Sequence, residues 1–276
     1  MSQRQPAPVT VSRAERASAP TGSTLRWRSI SAIWWRHVLS LARVWKVAIT
    51  WFAVEPAIVL MAVALGIGQL VGEVEHYGSY AVFVAPGIVV GTAMFHALFE
   101  CSWSAFQRIQ QSIYETMLTA PVTITEIVLA ELSFATTRAL ISTVAVGGFA
   151  AMFGWIPWLA LPALLLVAVG VGLVFGGIGL LFAALSPTVH ALSLVFTLVA
   201  TPLFFFSGAF FPIDVLPDWI APVAWVAPLT PLVHLGRGFV VGVFDTSHAL
   251  SAAYVVVLAG ALFPLAVTLL RRRLLK

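Results

Sequence analysis

Residues 159–185 read LALPALLLVAVGVGLVFGGIGLLFAAL and contain no charged side chain. The hydrocarbon core of a bilayer is about 30 Å thick and is crossed by roughly 20 apolar residues in a helix. The run is continuously apolar rather than alternating, which favours a helix over a membrane strand. Five other stretches have the same character: 49–71, 81–106, 127–153, 190–211 and 249–270. The sequence therefore predicts an all-α integral membrane protein with six transmembrane helices.

The overall composition excludes a soluble globular protein. Of the 276 residues, 60% are hydrophobic and only 9% are charged, whereas soluble domains carry roughly 25% charged residues. The single cysteine, Cys101, excludes an intrachain disulfide and a cysteine-rich metal site. The histidines form neither an HExxH motif nor a close pair, so we expect no metal. Neither Lys46 nor Lys276 follows a glycine, so we expect no phosphate-binding loop and no cofactor in this chain.

The basic residues cluster at the two ends of the chain. Of the 15 lysines and arginines, most lie in residues 1–46 or close the chain over 271–276. Basic residues that flank apolar spans mark the cytoplasmic side of a membrane. This distribution predicts that both termini are cytoplasmic, which requires an even number of spans. It also favours the bilayer, and not a nucleic acid, as the partner of the positive charge.

The residues before the first span divide into two parts. Residues 1–24 are rich in Ser, Pro, Ala and Arg, which predicts a disordered cytoplasmic tail. Residues 25–46 place apolar side chains at helical spacing among basic ones and predict an amphipathic helix. Its tryptophans favour a position in the cytoplasmic interface of the bilayer. A helix packed on the rest of the protein is the alternative.

Residues 212–244 follow the fifth predicted span and remain apolar, yet they contain repeated prolines and glycines. Helix-breaking residues at this density, together with the even number of spans, argue against a seventh crossing. We expect an outer re-entrant hairpin, with a plain loop as the alternative. Asp214 and Asp218 are expected to cap its helices. The candidate residues of this outer gate are Ser207, Gly208, Phe211, Pro212, Asp214, Pro217 and Asp218.

A polar segment over 107–123 separates the second and third predicted spans. Apolar residues recur there at helical spacing from Ile109 onward and predict a short amphipathic helix that Pro121 ends. Thr123 with Glu126 three residues later predicts a capping box at the start of the next helix. The segment is either a connecting turn or a docking helix for a cytoplasmic partner.

Three charged residues within or near the spans are candidates for function, because charge is costly there. Glu131 and Arg138 lie two helical turns apart, which is too far for a direct pair. We expect Arg138 to pair with a carboxylate on another helix or to face a polar cavity, and Glu131 to lie near the cytoplasmic interface. Glu100 is the best single candidate for a proton-carrying group.

Sequence motifs over about 27–276 resemble one family. They are WRH at 35–37, EP at 55–56, RIQ at 108–110, YETML at 114–118, IVLAE at 127–131, ATTRA at 135–139, FSGAFFPIDVLP at 206–217, PLVH at 231–234 and LLRRR at 269–273. With these motifs the chain resembles the membrane permease subunits of bacterial ABC exporters of the type-two export superfamily. Within that superfamily it is most similar to the nodulation-type (NodJ-like) lipo-oligosaccharide permeases.

The resemblance implies a six-helix permease domain over 47–276 in the bacterial plasma membrane. It implies that 107–123 is a coupling helix that seats in a separate ABC ATPase subunit, which binds ATP and Mg. It further implies a complex of two ATPases with two permeases, either identical or paralogous, that exports an amphiphilic substrate. The implied docking residues are Arg108, Gln110, Tyr114, Glu115, Met117, Leu118 and Pro121.

Other functions remain open at this stage. An exporter of the same superfamily could move a drug or an antibiotic instead of a glycolipid. A proton-coupled carrier that acts alone is the main alternative of another class, and the lack of inverted repeats of broken helices argues mildly against it. A membrane enzyme would need a polar catalytic cluster at an interface, and the sequence offers no such motif.

Overall fold

The computed structural model describes residues 25–71, 73–74, 77–215, 217, 219 and 221–275. The tail predicted over 1–24 and the candidate gate residue Asp218 lie outside these residues. Within the described chain six helices are long and apolar enough to cross a membrane, which confirms the predicted number. They are α2 (Trp45–Val71), α3 (Tyr80–Gln110), α5 (Ile124–Met152), α6 (Trp158–Leu185), α7 (Val189–Ala209) and α10 (Thr246–Leu274). Each begins and ends within a few residues of its predicted bounds.

Shorter elements connect these helices. They are α1 (Trp27–Arg43), the antiparallel pair β1 (Glu73–Val74) and β2 (Gly78–Ser79), α4 (Ile113–Met117), α8 (Ala221–Val226) and α9 (Leu229–Val241). With 13 residues, α9 is too short to cross a bilayer. It packs against α3, α6 and α10. The apolar character of 212–244 is therefore explained by packing on the bundle and not by a seventh span.

The core of the bundle is formed by α3, α5 and α6. In the most apolar stretch of α3, 78% of the residues are buried, compared with 22% in α2, 11% in α7 and 22% in α10. Small residues allow close approach: a Cβ on Gly87 of α3 would lie 2.7 Å from the main-chain oxygen of Ala209 at the end of α7. The outer helices α2, α7 and α10 are thus largely exposed within the described part of the chain, with many apolar side chains at their surface.

Two of these outer helices are irregular. Helix α2 contains π-helical segments at Thr50–Val54 and Ala62–Ile67, and α7 contains one at Phe196–Ala200. The last turn of α7 is broken at Gly208, which is not helical. A fourth π-helical segment, Glu100–Ser104, interrupts α3. Such segments insert an extra residue into a helix and are frequent at functional sites.

Both ends of the described chain lie at the same end of the bundle as segment 107–123. The main-chain N–H of Arg26 donates to Glu126 Oε1 at 2.8 Å, next to the start of α5. Near the other terminus, Arg273 Nη1 donates to the main-chain oxygen of Ser186, just after α6, at 2.7 Å. Because α5 and α6 are antiparallel neighbours, the start of α5 and the end of α6 share one end. We call this the hairpin end, and the opposite end, where α10 begins, the far end.

The amphipathic helix α1 packs on α5 through one face. Ile30, Ile33 and His37 are buried there, and Trp34 Nε1 donates to Thr137 Oγ1 at 3.0 Å. Trp27 and Trp35 remain exposed. Packing on the protein and contact with a bilayer surface therefore use different faces of the same helix, and the interfacial position stays a prediction.

Candidate functional site

Segment 107–123 forms a hairpin that is tighter than predicted. The second span continues to Gln110, and the chain reverses at Ser112, whose φ of 53° lies in the left-handed region. Helix α4 then covers only Ile113–Met117. The prediction of one amphipathic helix running from Ile109 to Pro121 is therefore wrong, because Ile109 belongs to the last turn of α3.

The capping box at the start of α5 is confirmed. Glu126 N–H donates to Thr123 Oγ1 at 3.3 Å, and Thr123 N–H donates to Glu126 Oε2 at 2.9 Å. This arrangement satisfies two main-chain donors of the first helical turn. It also fixes where the hairpin rejoins the bundle.

Beneath the hairpin lies a buried cluster of opposite charges. Arg108 donates through Nη1 to Glu131 Oε2 at 2.6 Å and through Nη2 to Glu100 Oε1. Arg138 donates to the other oxygen of Glu100, so the two guanidiniums and two carboxylates form one continuous chain. The prediction that Arg138 pairs with a carboxylate on another helix is confirmed. Glu131, predicted to lie near an interface, is fully buried.

The hairpin itself enters this cluster through Tyr114. Its hydroxyl donates to Glu131 Oε1 at 2.7 Å, and its side chain is fully buried. Burial raises the pKa of the Tyr114 phenol well above its usual value, so the hydroxyl keeps the proton that it donates. His37 of α1 completes the cluster, with Nε2 3.2 Å from Glu131 Oε1 at an angle unsuited to a hydrogen bond.

We call these six residues the hairpin charge cluster: His37, Glu100, Arg108, Tyr114, Glu131 and Arg138. The cluster joins α1, α3, α4 and α5 at one point. Removing one partner from a buried ion pair leaves an uncompensated charge and is strongly destabilising, so the four elements are held together. Each carboxylate oxygen of Glu100 accepts from an arginine, which makes Glu100 a structural link and a poor candidate for a proton carrier.

The predicted docking residues divide into a buried and an exposed group. Tyr114 is buried and Arg108 is largely so, because both bind Glu131. Their assignment to a docking surface is corrected accordingly. Gln110, Glu115 and Pro121 are exposed, and Met117 and Leu118 are half-buried against the core. Contact of this exposed group with a partner stays a prediction.

The far end contains a third buried arginine, which is not among the residues predicted for the outer gate. Arg237 of α9 donates through Nε to the main-chain oxygen of Phe83 at 3.1 Å and through Nη2 to that of Ala209 at 3.0 Å. It also donates to the oxygen of Gly208, and its guanidinium carbon lies 3.7 Å from the centroid of the Phe83 ring. We call this arrangement the Arg237 site. Its sequence signal is the Gly236-Arg237-Gly238 triplet, in which a large cation is flanked by glycines.

The Arg237 site depends on an unusual backbone at the end of α7. Gly208 has a φ of 78°, in the left-handed region that favours glycine. This conformation ends the helix and turns the oxygens of Gly208 and Ala209 toward Arg237. Tyr80 reinforces the junction by donating its hydroxyl to the main-chain oxygen of Phe210 at 2.8 Å.

The remaining candidate gate residues surround this junction. Ser207 is buried, Phe211 and Pro212 are half-buried, and Pro217 is exposed. Asp214 is exposed within a short 3-10 turn, Ile213–Val215. The residues that directly follow this turn are described only in part, so its capping role stays a prediction. The structure brings Ser207 and Gly208 next to a buried cation, whereas Asp214 and Pro217 face outward.

Comparison with known proteins identifies the family. Residues 28–241 match the family described as ABC-2 type transporter. Nodulation protein J of Rhizobium leguminosarum bv. viciae is 34% identical over 261 residues, which cover 94% of this chain and 99% of that protein. Nodulation protein J of Rhizobium meliloti is 33% identical over 88% of this chain and 93% of its own length. The inner membrane transport permease YadH of Escherichia coli is 27% identical over 78% of this chain and 82% of its own. The chain therefore belongs to the ABC-2 type transporter family, as a multi-pass membrane permease.

Proposed function

We propose that this ABC-2 permease is the membrane subunit of an ATP-driven exporter that moves an amphiphilic substrate outward across the bacterial plasma membrane. A separate ABC ATPase binds ATP and Mg, and this chain requires no cofactor for transport. The hairpin end, with both termini, faces the cytoplasm. The observation that carries the proposal is the bond from Tyr114 in the hairpin to the buried Glu131 in the bundle.

This bond gives a route for force from a docked partner. The exposed side of the hairpin offers Gln110, Glu115 and Pro121 to an ATPase. Its buried side is tied through Tyr114 and Arg108 to α3 and α5, so a displacement of the hairpin displaces the core helices with it. An exposed connecting turn would not need a buried tyrosine or a pair of buried arginines, because a turn is satisfied by water.

A second permease copy fits the free faces of α2 and α7. Large apolar side chains such as Ile58, Leu198 and Phe206 are exposed there within a single chain. Lipid can cover part of this surface, but two chains that meet through α2 and α7 would also enclose an apolar path between them. We favour a homodimer, with a paralogous permease as the alternative composition.

The substrate is proposed to be a lipo-oligosaccharide or another glycolipid. The similarity to proteins named nodulation protein J supports this class. The apolar path proposed between the two chains suits an acyl chain, although it suits a flat hydrophobic drug as well. Accumulation of a lipid-linked saccharide inside a deletion strain would support the first substrate, and hypersensitivity to a drug without such accumulation would support the second.

The test of the proposal is assembly with an ATPase. The chain is co-expressed with the ABC ATPase encoded nearest to its gene, and the complex is purified in detergent. We expect co-purification and ATP hydrolysis stimulated by the permease. Glu115→Arg should reduce co-purification several-fold, because a charge at an interface steers association.

The matched control is Asp214→Arg, which reverses the charge of an exposed side chain at the far end. It should leave co-purification unchanged. The proposal fails if the wild-type chain never stimulates ATP hydrolysis. It also fails if Glu115→Arg and Leu118→Ala both leave assembly intact.

A further inference from the structure

We propose that His234, Asp245 and His248 form a binding site for a divalent transition metal, with zinc as the best match, at the far end of the bundle. The sequence predicted no close pair of histidines, and the structure corrects this. Helix α9 supplies His234, while Asp245 and His248 lie at the start of α10. The three residues come together only because the short helix α9 folds back against the last span.

The ligand atoms are already close. One nitrogen of each histidine and one oxygen of Asp245 all lie within 4.8 Å of one another. The two imidazole rings stack with their centroids 3.9 Å apart, and His248 Nδ1 lies 2.6 Å from Asp245 Oδ1. In a tetrahedral zinc site with bonds of about 2.0–2.1 Å, neighbouring ligand atoms are about 3.3 Å apart. Small rotations of the exposed Asp245 and the half-buried histidine side chains would close the remaining distance.

The donor set matches the chemistry of zinc. Two histidine nitrogens and one carboxylate oxygen are ligands that zinc prefers, and sites with three protein ligands leave the fourth position to water. The hard cations calcium and magnesium prefer all-oxygen sites. A site with one carboxylate and two imidazoles therefore selects a first-row transition metal over calcium or magnesium.

The residues around the imidazole rings of His234 and His248 leave room for both rings and pack against them. A Cβ on Gly238 would lie 2.5 Å from the Nε2 and Cδ2 atoms of His248, so glycine leaves the room that the imidazole occupies. Trp225 packs edge-on against His234, with the ring centroids 5.4 Å apart. Phe244 packs in the same way against His248. An apolar wall around metal ligands limits solvent access and strengthens the site.

Helix capping explains only part of this arrangement. Asp245 Oδ1 accepts from the main-chain N–H groups of Ser247 and His248 at 3.0 and 3.2 Å, which caps α10. Capping gives no role to His234, which belongs to another helix. Among the described residues, the ring nitrogens of His234 make only long contacts, at 3.4 Å, with the hydroxyls of Ser247 and Ser251. Within that part of the chain, neither nitrogen has a strong competing partner.

A metal at this point would connect α9 to α10. Helix α9 also carries Arg237, which is bonded to the ends of α3 and α7. A bound ion would therefore stiffen the far end as a whole. This inference concerns metal binding alone, so its outcome is independent of the ATPase experiment above.

The test measures zinc binding to the purified, tag-free protein in detergent after treatment with a chelator. We expect one zinc ion per chain at micromolar ZnCl2 and a rise of a few degrees in the unfolding temperature, because a ligand of the folded state stabilises it. His234→Ala should weaken zinc affinity at least tenfold without removing the helix cap. Asp245→Asn, which retains a capping side chain, should weaken it as well.

His190→Ala is the matched control, because His190 is exposed at the start of α7 at the hairpin end. It should bind zinc like the wild type. Cobalt bound in place of zinc should give the intense visible absorption of a tetrahedral ion, and His234→Ala should abolish it. The proposal is overturned if the wild type takes up no zinc, or if His234→Ala and Asp245→Asn both bind as the wild type does.

Discussion

The two ends of this bundle bury arginines in opposite ways. At the hairpin end, Arg108 and Arg138 are neutralised by Glu100 and Glu131. At the far end, Arg237 is held by main-chain oxygens and an aromatic ring, with no carboxylate partner among the described residues. Ion pairs between side chains tolerate small backbone movements, whereas carbonyl oxygens bind a guanidinium only while the backbone keeps one conformation. The hairpin end is therefore joined through side chains, whereas the Arg237 site depends on the backbone conformation at the end of α7.

The largest expected effect comes from Glu131→Ala at the hairpin end. It leaves Tyr114 without an acceptor and Arg108 with one carboxylate instead of two. Loss of one partner of a buried pair costs about 3–5 kcal/mol, measured as a fall in the free energy of unfolding in detergent. Glu115→Ala, an exposed acid of the same hairpin, should cost little. Equal stability of the two variants would contradict the role assigned to the cluster.

A smaller effect is expected from Arg237→Ala at the far end. The substitution leaves buried carbonyl groups without a donor, which costs about 1–3 kcal/mol. Arg237→Lys should recover only part of this, because lysine lacks the planar fork of donors. The clearest readout is labelling of Ser207→Cys, at a position buried next to Gly208, by a membrane-impermeant maleimide in intact cells. We expect this labelling to accelerate.

The labelling experiment has an internal control at the other end. Thr119→Cys is exposed on the hairpin and should stay unlabelled in intact cells. The native Cys101 is fully buried and contributes no background. Unchanged labelling at position 207 would show that Arg237 does not hold the end of α7 in place, and labelling at position 119 would reverse the proposed orientation.

Gly208→Ala tests the backbone on which the Arg237 site depends. An alanine in the left-handed region raises the conformational energy by about 1–2 kcal/mol, and its Cβ would lie 2.9 Å from Ile213 Cγ1. We expect lower stability together with faster labelling at position 207, since the carbonyl groups turn away from Arg237. Gly154→Ala, a matched change at a left-handed glycine with open space around it, should lower stability without affecting labelling.

The smallest effect is expected from Thr123→Ala. Loss of a helix N-cap costs about 1 kcal/mol, and Glu126 keeps its second contact with the N–H of Arg26. Ser133→Ala, in the exposed middle of α5, is the control for thermal unfolding. A loss as large as that of Glu131→Ala would mean that the cap, and not the charge cluster, anchors the hairpin.

Much of the fold could be predicted from the sequence because the bilayer imposes one length and one polarity on every span. The run over 159–185 and its five counterparts are set by that constraint, and the capping box at Thr123 is a local pattern of side-chain chemistry. The burial of the Tyr114 side chain could not be predicted. A five-residue helix between two turns is too short for a periodic pattern to show which of its faces is buried.

Contacts between segments that are distant along the chain could not be predicted from the sequence either. Arg237 meets Phe83 and Gly208, and His234 meets His248, only through the way α9 packs across the bundle. Arg138 was predicted to find a carboxylate on another helix, but Glu100 could be named as its partner only when α3 and α5 were placed side by side.

The π-helical segments in α2 and α7 have a mechanical consequence. A π segment contains one residue more than the α-helical turn it replaces, and one residue corresponds to about 100° of rotation in an α-helix. If that surplus residue migrates along the helix, every side chain that it passes turns by this angle while the helix ends stay in place. Such a travelling defect would let either helix change the face that it presents to its surroundings without tilting, because its main-chain hydrogen bonds would be exchanged one at a time and not all lost at once.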